Sequence, residues 1–258
     1  MTGGALTTPR FLQAGDTALT VELGATAELG LSLRVLELYA QISSAGLPGV
    51  VELVPTLRSL TVHYDPRVTS SRVLRAALAP IVDVGLAESG RDVSTDGNAV
   101  PVPGRRWLMP ACYAPEFGPD IESVAAACGL DAGQVPALHA SVPYRVLMVG
   151  FLPGHPYMGN LPPPLRIPRR DTPRTSVPAG SVAIATTMSV IYPLESPGGW
   201  HIIARTPVAL FDATRAEPSL LAPGDEVRFR PIGRDEFDAL SAAVAAGTWA
   251  IEPVGAAP

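Results

Sequence analysis

Residues 17–23 (Thr-Ala-Leu-Thr-Val-Glu-Leu) alternate polar and apolar and stop at Gly24, the period-two signature of a half-buried strand. The period then changes. Leu29, Leu33, Leu36 and Ala40 recur at helical spacing, predicting a helix over 29–42 that Gly46 and Pro48 end. Strand patterns follow at 50–54 and 58–64, close enough to form a hairpin, and Asp65-Pro66 closes the second. Ser70 or Ser71 can cap a helix running through Val73, Leu74, Ala77 and Leu78. The order β-α-β-β-α predicts a small α+β domain over residues 1–90, with its helices on one face of an antiparallel sheet.

The stretch 88–104 is polar and lacks Leu, Ile and Phe, which places a linker at 91–104 and a second domain at 105–258. A strand is predicted at 107–113. Asp120 can cap a helix through Ile121, Val124, Ala125 and Cys128, closed by Gly129, and Asp131 can cap another reaching His139. From Tyr144 the pattern is β: an apolar strand over 144–151, then short strands at 181–185, 190–194, 200–204 and 227–231. Eight prolines between Pro153 and Pro178 rule out a helix there. Strands so short, separated by Gly and Pro, predict a small barrel or closed sandwich. An amphipathic helix over 233–247 follows, with Phe237, Leu240 and Val244 on one face.

Composition sharpens this picture. The 258 residues include 24 glycines and 28 prolines, about a fifth of the chain, which favours turn-rich β structure over a helix bundle. All 19 basic residues are arginine. Without lysine the chain has no Walker A phosphate loop, Schiff-base lysine, Ser–Lys dyad or biotinyl-lysine. A net charge of −5 argues against a nucleic-acid partner. No apolar run approaches the ~18 residues of a membrane span. No secretory leader pattern opens the chain, and Cys112 and Cys128 read as free thiols, so the expected compartment is cytoplasmic. His63, His139, His155 and His201 form no zinc-binding pair, so no metal site is expected.

Three segments carry candidate chemistry. In Gly150–Leu161 (GFLPGHPYMGNL), prolines stiffen and glycines open a loop that would fix His155 and Tyr157 at a strand end. In Arg166–Arg174 (RIPRRDTPR), four arginines fall within nine residues; guanidinium forks match carboxylate or phosphate oxygens, or pair with acids of the same chain. In Ile191–His201 (IYPLESPGGWH), Ser196-Pro197-Gly198-Gly199 reads as a turn. Glu195 can act there as a base, and Gly198 and Gly199 can turn backbone N–H groups toward an anion.

These segments, in this order, resemble the B subunits of bacterial 5-oxoprolinases, a family also named allophanate hydrolase subunit 1, the Kip-type kinase inhibitor, or carboxyltransferase subdomain C/D. The resemblance starts at Gly15-Asp16-Thr17-Ala18-Leu19. It passes through Arg58-Ser59-Leu60, His63-Tyr64-Asp65-Pro66 and Pro115–Asp120, and is densest from Gly150 to Pro207. Gly224-Asp225 completes it. It implies an α+β N-terminal domain followed by a cyclophilin-like β-barrel. It implies A-type and C-type partner subunits, and ATP bound by the complex and not necessarily by this chain. The implied activity opens 5-oxoproline, or another lactam or small amide, to the acid. From the residues themselves, the catalytic candidates are Glu195 and His155. Substrate or phosphate binding falls to Arg169, Arg170, Arg174, Tyr157, Tyr192, Ser196, Gly198 and Gly199.

Two stretches depart from the family pattern. Thr186-Thr187-Met188-Ser189-Val190 stands where the family usually has Gly-Gly-Gln-Thr-Gly, and His155 stands where it usually has Phe. Two other readings fit the same resemblance. One is a carboxyltransferase component of a urea carboxylase or allophanate type, with biotin on another chain. The other is a non-catalytic inhibitor of a sensor histidine kinase.

Overall fold

The computed structural model describes residues 5–87 and 104–255, and the chain divides into two compact units, 1–103 and 104–258. The linker expected at 91–104 lies outside the described residues except for Gly104. That glycine presses on the Gly224–Asp225 backbone so closely that a Cβ there would sit 2.9 Å from the Asp225 nitrogen.

In the first unit, strands β1 (Ala5–Ala14), β2 (Ala18–Gly24), β3 (Val50–Pro55) and β4 (Ser59–Tyr64) form an antiparallel sheet in the order β1-β2-β4-β3. Helices α1 (Leu29–Ala45) and α2 (Ser71–Ala87) pack on it. Periodicity does not reveal β1. It contains Pro9, and its pairing shifts register between Ala5 and Arg10, which an edge strand tolerates. The buried stripe of α1 is Leu31, Val35, Leu38 and Ile42, with Leu36; the expected Leu29, Leu33 and Ala40 are only partly covered. So leucine-rich a helix offers more than one apolar stripe, and contact with the sheet selects between them. That stripe meets Leu74, Leu78 and Val82 of α2 above Leu19, Val21, Leu60 and Val62. Ser70 starts α2, its Oγ accepting from the Val73 N–H at 3.4 Å.

The second unit contains β5 (Arg106–Cys112), α3 (Ile121–Cys128), α4 (Gln134–Ala140), β6 (Tyr144–Val149), β7 (Pro156–Gly159), β8 (Arg174–Val177), β9 (Ser181–Ala185), β10 (Met188–Ile191), β11 (Ser196–Gly198), β12 (His201–Arg205), β13 (Glu226–Ile232) and α5 (Arg234–Ala245). Seven strands close a barrel in the order β10-β7-β6-β13-β5-β12-β9. The fold is thus α+β with a closed barrel. Every barrel strand contributes to one interior cluster, among them Met109, Tyr144, Val146, Met158, Val182, Ile184, Ile191, Ile203, Val227 and Phe229. Alternation sends the next residues to the other side. Ala183, Ala185, Val190 and Ile202 form a second cluster with Val177, Tyr192 and Trp200, outside the barrel wall and beneath the β8–β11 ribbon.

Several local expectations are corrected here. Ser196–Gly198 is not a free turn but a short strand paired with β8. Asp120 sits at the start of α3 without capping it, and Asp131 does not cap α4, which begins after Gly133. The Asp131 N–H instead donates to the Gln134 side chain at 2.8 Å. Phe151 leaves the 144–151 strand and takes a positive φ of 71°. In α5 only Phe237 is fully buried, with Leu240 partly packed beside it.

One polar chain crosses the barrel interior. His139, fully buried on α4, sits between the Tyr113 hydroxyl at 2.8 Å from Nδ1 and the Ser189 hydroxyl at 3.0 Å from Nε2, while Ser189 reaches the Ala183 carbonyl at 3.4 Å. Burial lowers the His139 pKa to about 3, so the ring is neutral. A consistent proton order follows: Tyr113 O–H donates to Nδ1, Nε2–H to Ser189, and Ser189 O–H to Ala183. The serine within the 186–190 departure therefore satisfies a core histidine.

Candidate functional site

The arginine segment is pinned along its length. The Ile167 carbonyl accepts from the Thr186 N–H at 2.6 Å, the Pro168 carbonyl from His201 Nε2 at 2.9 Å, and the Gly199 carbonyl from the Arg170 N–H at 2.8 Å. Arg174 continues into β8, opposite Gly198 of β11. The prolines that forbid a helix thus leave a stiff strap across the start of β12.

Two of the three expected anion-binding arginines already hold an anion of the chain. Arg174 donates both terminal nitrogens to Asp120, at 2.8 and 2.7 Å, and Arg170 donates one at 3.1 Å. The Ile202 N–H adds a fourth donor at 2.7 Å. Burial pushes the Asp120 carboxyl up. The Arg174 hydrogen bonds, the Ile202 N–H and the charges of both arginines together outweigh that and hold it below the usual aspartate range. Asp120 thereby ties the N-terminus of α3 to β12 and to the strap. In the sequence it reads as a helix cap, because nothing local distinguishes a capping aspartate from one whose partners lie 50 and 54 positions away.

Beside this centre lies an aromatic cluster. His155 meets Tyr157 and Tyr192 with ring centroids 5.0 Å away in each case, and the exposed Phe151 at 5.5 Å. Tyr157 meets Trp200 at 6.0 Å, and the Arg169 guanidinium lies 5.4 Å from the Trp200 ring centre. Burial lowers His155 to about 4 and raises Tyr192 to about 12; for Tyr192, neighbouring Tyr157 adds to the rise while Arg169 and Arg174 oppose it. Met188, within the departing stretch, packs on this cluster. Buried polar atoms without partners also occur here: His155 Nδ1, Arg170 Nε, Ser196 Oγ and His201 Nδ1.

The structure therefore brings His155, Tyr157, Tyr192 and Arg169 together and ties Arg170 and Arg174 to Asp120. Glu195 stands exposed, with no hydrogen bond or ion pair among the described residues. Ser196, the next residue along the extended chain, points the opposite way and is buried. Trp200, His201, Phe151 and Met188 lie in the segments singled out above but are not among the expected site residues; the packing of those segments gives them a place here. Gly199 has ordinary room beside Pro173, whereas Gly198 lies under Tyr192. A Cβ at 198 would fall 2.8 Å from Tyr192 Cζ and closer still to its hydroxyl. Gly198→Ala should destabilise the second unit by about 1–3 kcal/mol. Adding Tyr192→Phe should recover part of the loss in thermal melting, and an additive double variant would disprove this contact.

The comparisons with known proteins fit this architecture. The chain is 40% identical over 217 residues to the B subunit of 5-oxoprolinase from Escherichia coli O157:H7, covering 84% of this chain and 93% of that protein. It is 25% identical over 251 residues to the urea amidolyase of Saccharomyces cerevisiae, covering 90% of this chain but 14% of the yeast protein. Among solved structures, TTHA0988 superposes with a TM-score of 0.68 at 34% identity, over 84% of this chain and 40% of the length of that one. The model of the carboxyltransferase domain, subdomain C and D, matches residues 9–221. The chain belongs to the carboxyltransferase subdomain C and D family.

Proposed function

We propose that this chain is the B-type component of an ATP-dependent amidohydrolase complex that opens a lactam or small amide, with 5-oxoproline as the first candidate. The observation that carries the reading is the aromatic cluster of His155, Tyr157, Tyr192 and Trp200 under Arg169. Likeness to the B subunit of 5-oxoprolinase along most of the chain supports it. Tyr157 is only partly buried and can offer its ring to a planar amide. Resonance makes an amide resist water, and ATP supplies the phosphoryl group that makes its oxygen leave readily. A triphosphate needs several cationic or backbone donors, and Asp120 already takes both terminal nitrogens of Arg174 and one of Arg170. We assign the nucleotide to a partner in the complex.

The test combines this chain with the A and C subunits encoded in the same genome. ATP hydrolysis dependent on 5-oxoproline, with glutamate released, is expected, and both should vanish when this chain is omitted. Full turnover without it would disprove the reading. The likeness to urea amidolyase favours a second reading, a carboxyltransferase component. That reading predicts activity only with a biotin-bearing partner.

A further inference from the structure

The arginines of the strap are not equivalent. Arg174 directs both terminal nitrogens, and Arg170 one, to Asp120. Arg169 is exposed, stacked over Trp200, and has no carboxylate partner among the described residues. Its backbone is nonetheless fixed on both sides, by the Pro168 carbonyl with His201 at 2.9 Å and the Arg170 N–H with Gly199 at 2.8 Å. Contact with the indole face holds the guanidinium at the strap and leaves its nitrogens without a carboxylate among the described residues. A fork held in this way loses little freedom when it captures an anion. Trp200 in turn meets Tyr157 at 6.0 Å, so Arg169 lies at the edge of the same aromatic cluster.

Building on the functional reading above, we propose that Arg169, and neither Arg170 nor Arg174, is the specificity-determining residue of this site. It holds the carboxylate of the substrate by a bidentate pair while the amide ring lies against the partly exposed Tyr157. One open planar fork matches one planar carboxylate. A phosphate dianion favours a second free cation, and the neighbouring forks are engaged by Asp120. Arg170 and Arg174 act at one remove, by fixing the strap that presents Arg169.

Calorimetric titration of the full chain tests this, with 5-oxoproline, with 2-pyrrolidinone (the same lactam without a carboxylate) and with inorganic phosphate. The wild type should bind 5-oxoproline at least about tenfold more tightly than either of the others. Arg169→Met should weaken 5-oxoproline about 10- to 100-fold, the worth of a charged hydrogen-bonded pair. It should leave 2-pyrrolidinone unchanged and the melting temperature near wild type, since the side chain is exposed. Arg169→Lys should recover only part of the loss, having no fork. Arg174→Met should lower melting temperature and affinity together. The proposal is overturned if 5-oxoproline fails to bind, if both lactams bind alike, if phosphate binds most tightly, or if Arg169→Met binds as wild type. Discrimination by the full chain, with an assembled complex inert towards 5-oxoproline, would overturn the functional reading and leave the role of Arg169 standing.

Discussion

Replacing Asp120 with alanine should lower the stability of the second unit by about 2–4 kcal/mol, below the ~3–5 of a fully buried pair. The discount reflects the partners: the Asp120 side chain is 5% exposed, but those of Arg170 and Arg174 keep 30% and 26%. The loss arises because two guanidiniums and the Ile202 N–H would be left without their acceptor. For a unit of this size the melting temperature should fall by roughly 5–15 °C. Arg174→Ala should cost stability for the same reason, so its effect on activity would not by itself identify a ligand contact. The carboxyl is held below its usual value, so its contribution is full above the unfolded value of ~3.9 and is lost as pH falls through the folded value. Asp120→Asn should therefore flatten the acid limb of the stability curve below about pH 4. An unchanged acid limb would show that the Asp120 charge does not hold the strap.

The second large effect lies inside the barrel. His139→Leu keeps the apolar volume but strands the Tyr113 hydroxyl, at about 1–3 kcal/mol for a buried group left unpaired, and leaves Ser189 only its bond to the Ala183 carbonyl. The pH dependence has the opposite origin from that of Asp120. Burial lowers the histidine, so the unfolded chain binds its proton first as pH falls. Stability is full above the unfolded value of ~6.5 and declines with acid until the folded value of about 3. His155 behaves alike, down to about 4. Between those limits His139→Leu should remove about one proton's worth of slope from the stability–pH curve, whatever its effect at neutral pH. Chemical denaturation at pH 4.5, 5.5 and 7 measures it. A slope equal to wild type would mean that His139 is charged in the folded state.

These two centres show how far the sequence reaches. The strand patterns at 17–23, 50–54, 58–64 and 181–185, and the helices from Leu29 and Ile121, follow from local periodicity. They recur as β2, β3, β4, β9, α1 and α3, because alternation and helical spacing are set by backbone geometry alone. The resemblance carried by Gly150–Pro207 points to the strap and the aromatic loop without any contact being known. Tertiary structure decided what each residue does there. It selected Leu31, Val35, Leu38 and Ile42 over the neighbouring apolar stripe, and it turned Ser196–Gly198 from a turn into a paired strand. It gave Ser189 to a core histidine. Above all, it engaged Arg170 and Arg174 with Asp120 and left Arg169 open. An arginine cluster states in sequence that positive charge is present. Which fork stays open depends on carboxylates brought near by the closed barrel, from positions that no local pattern connects.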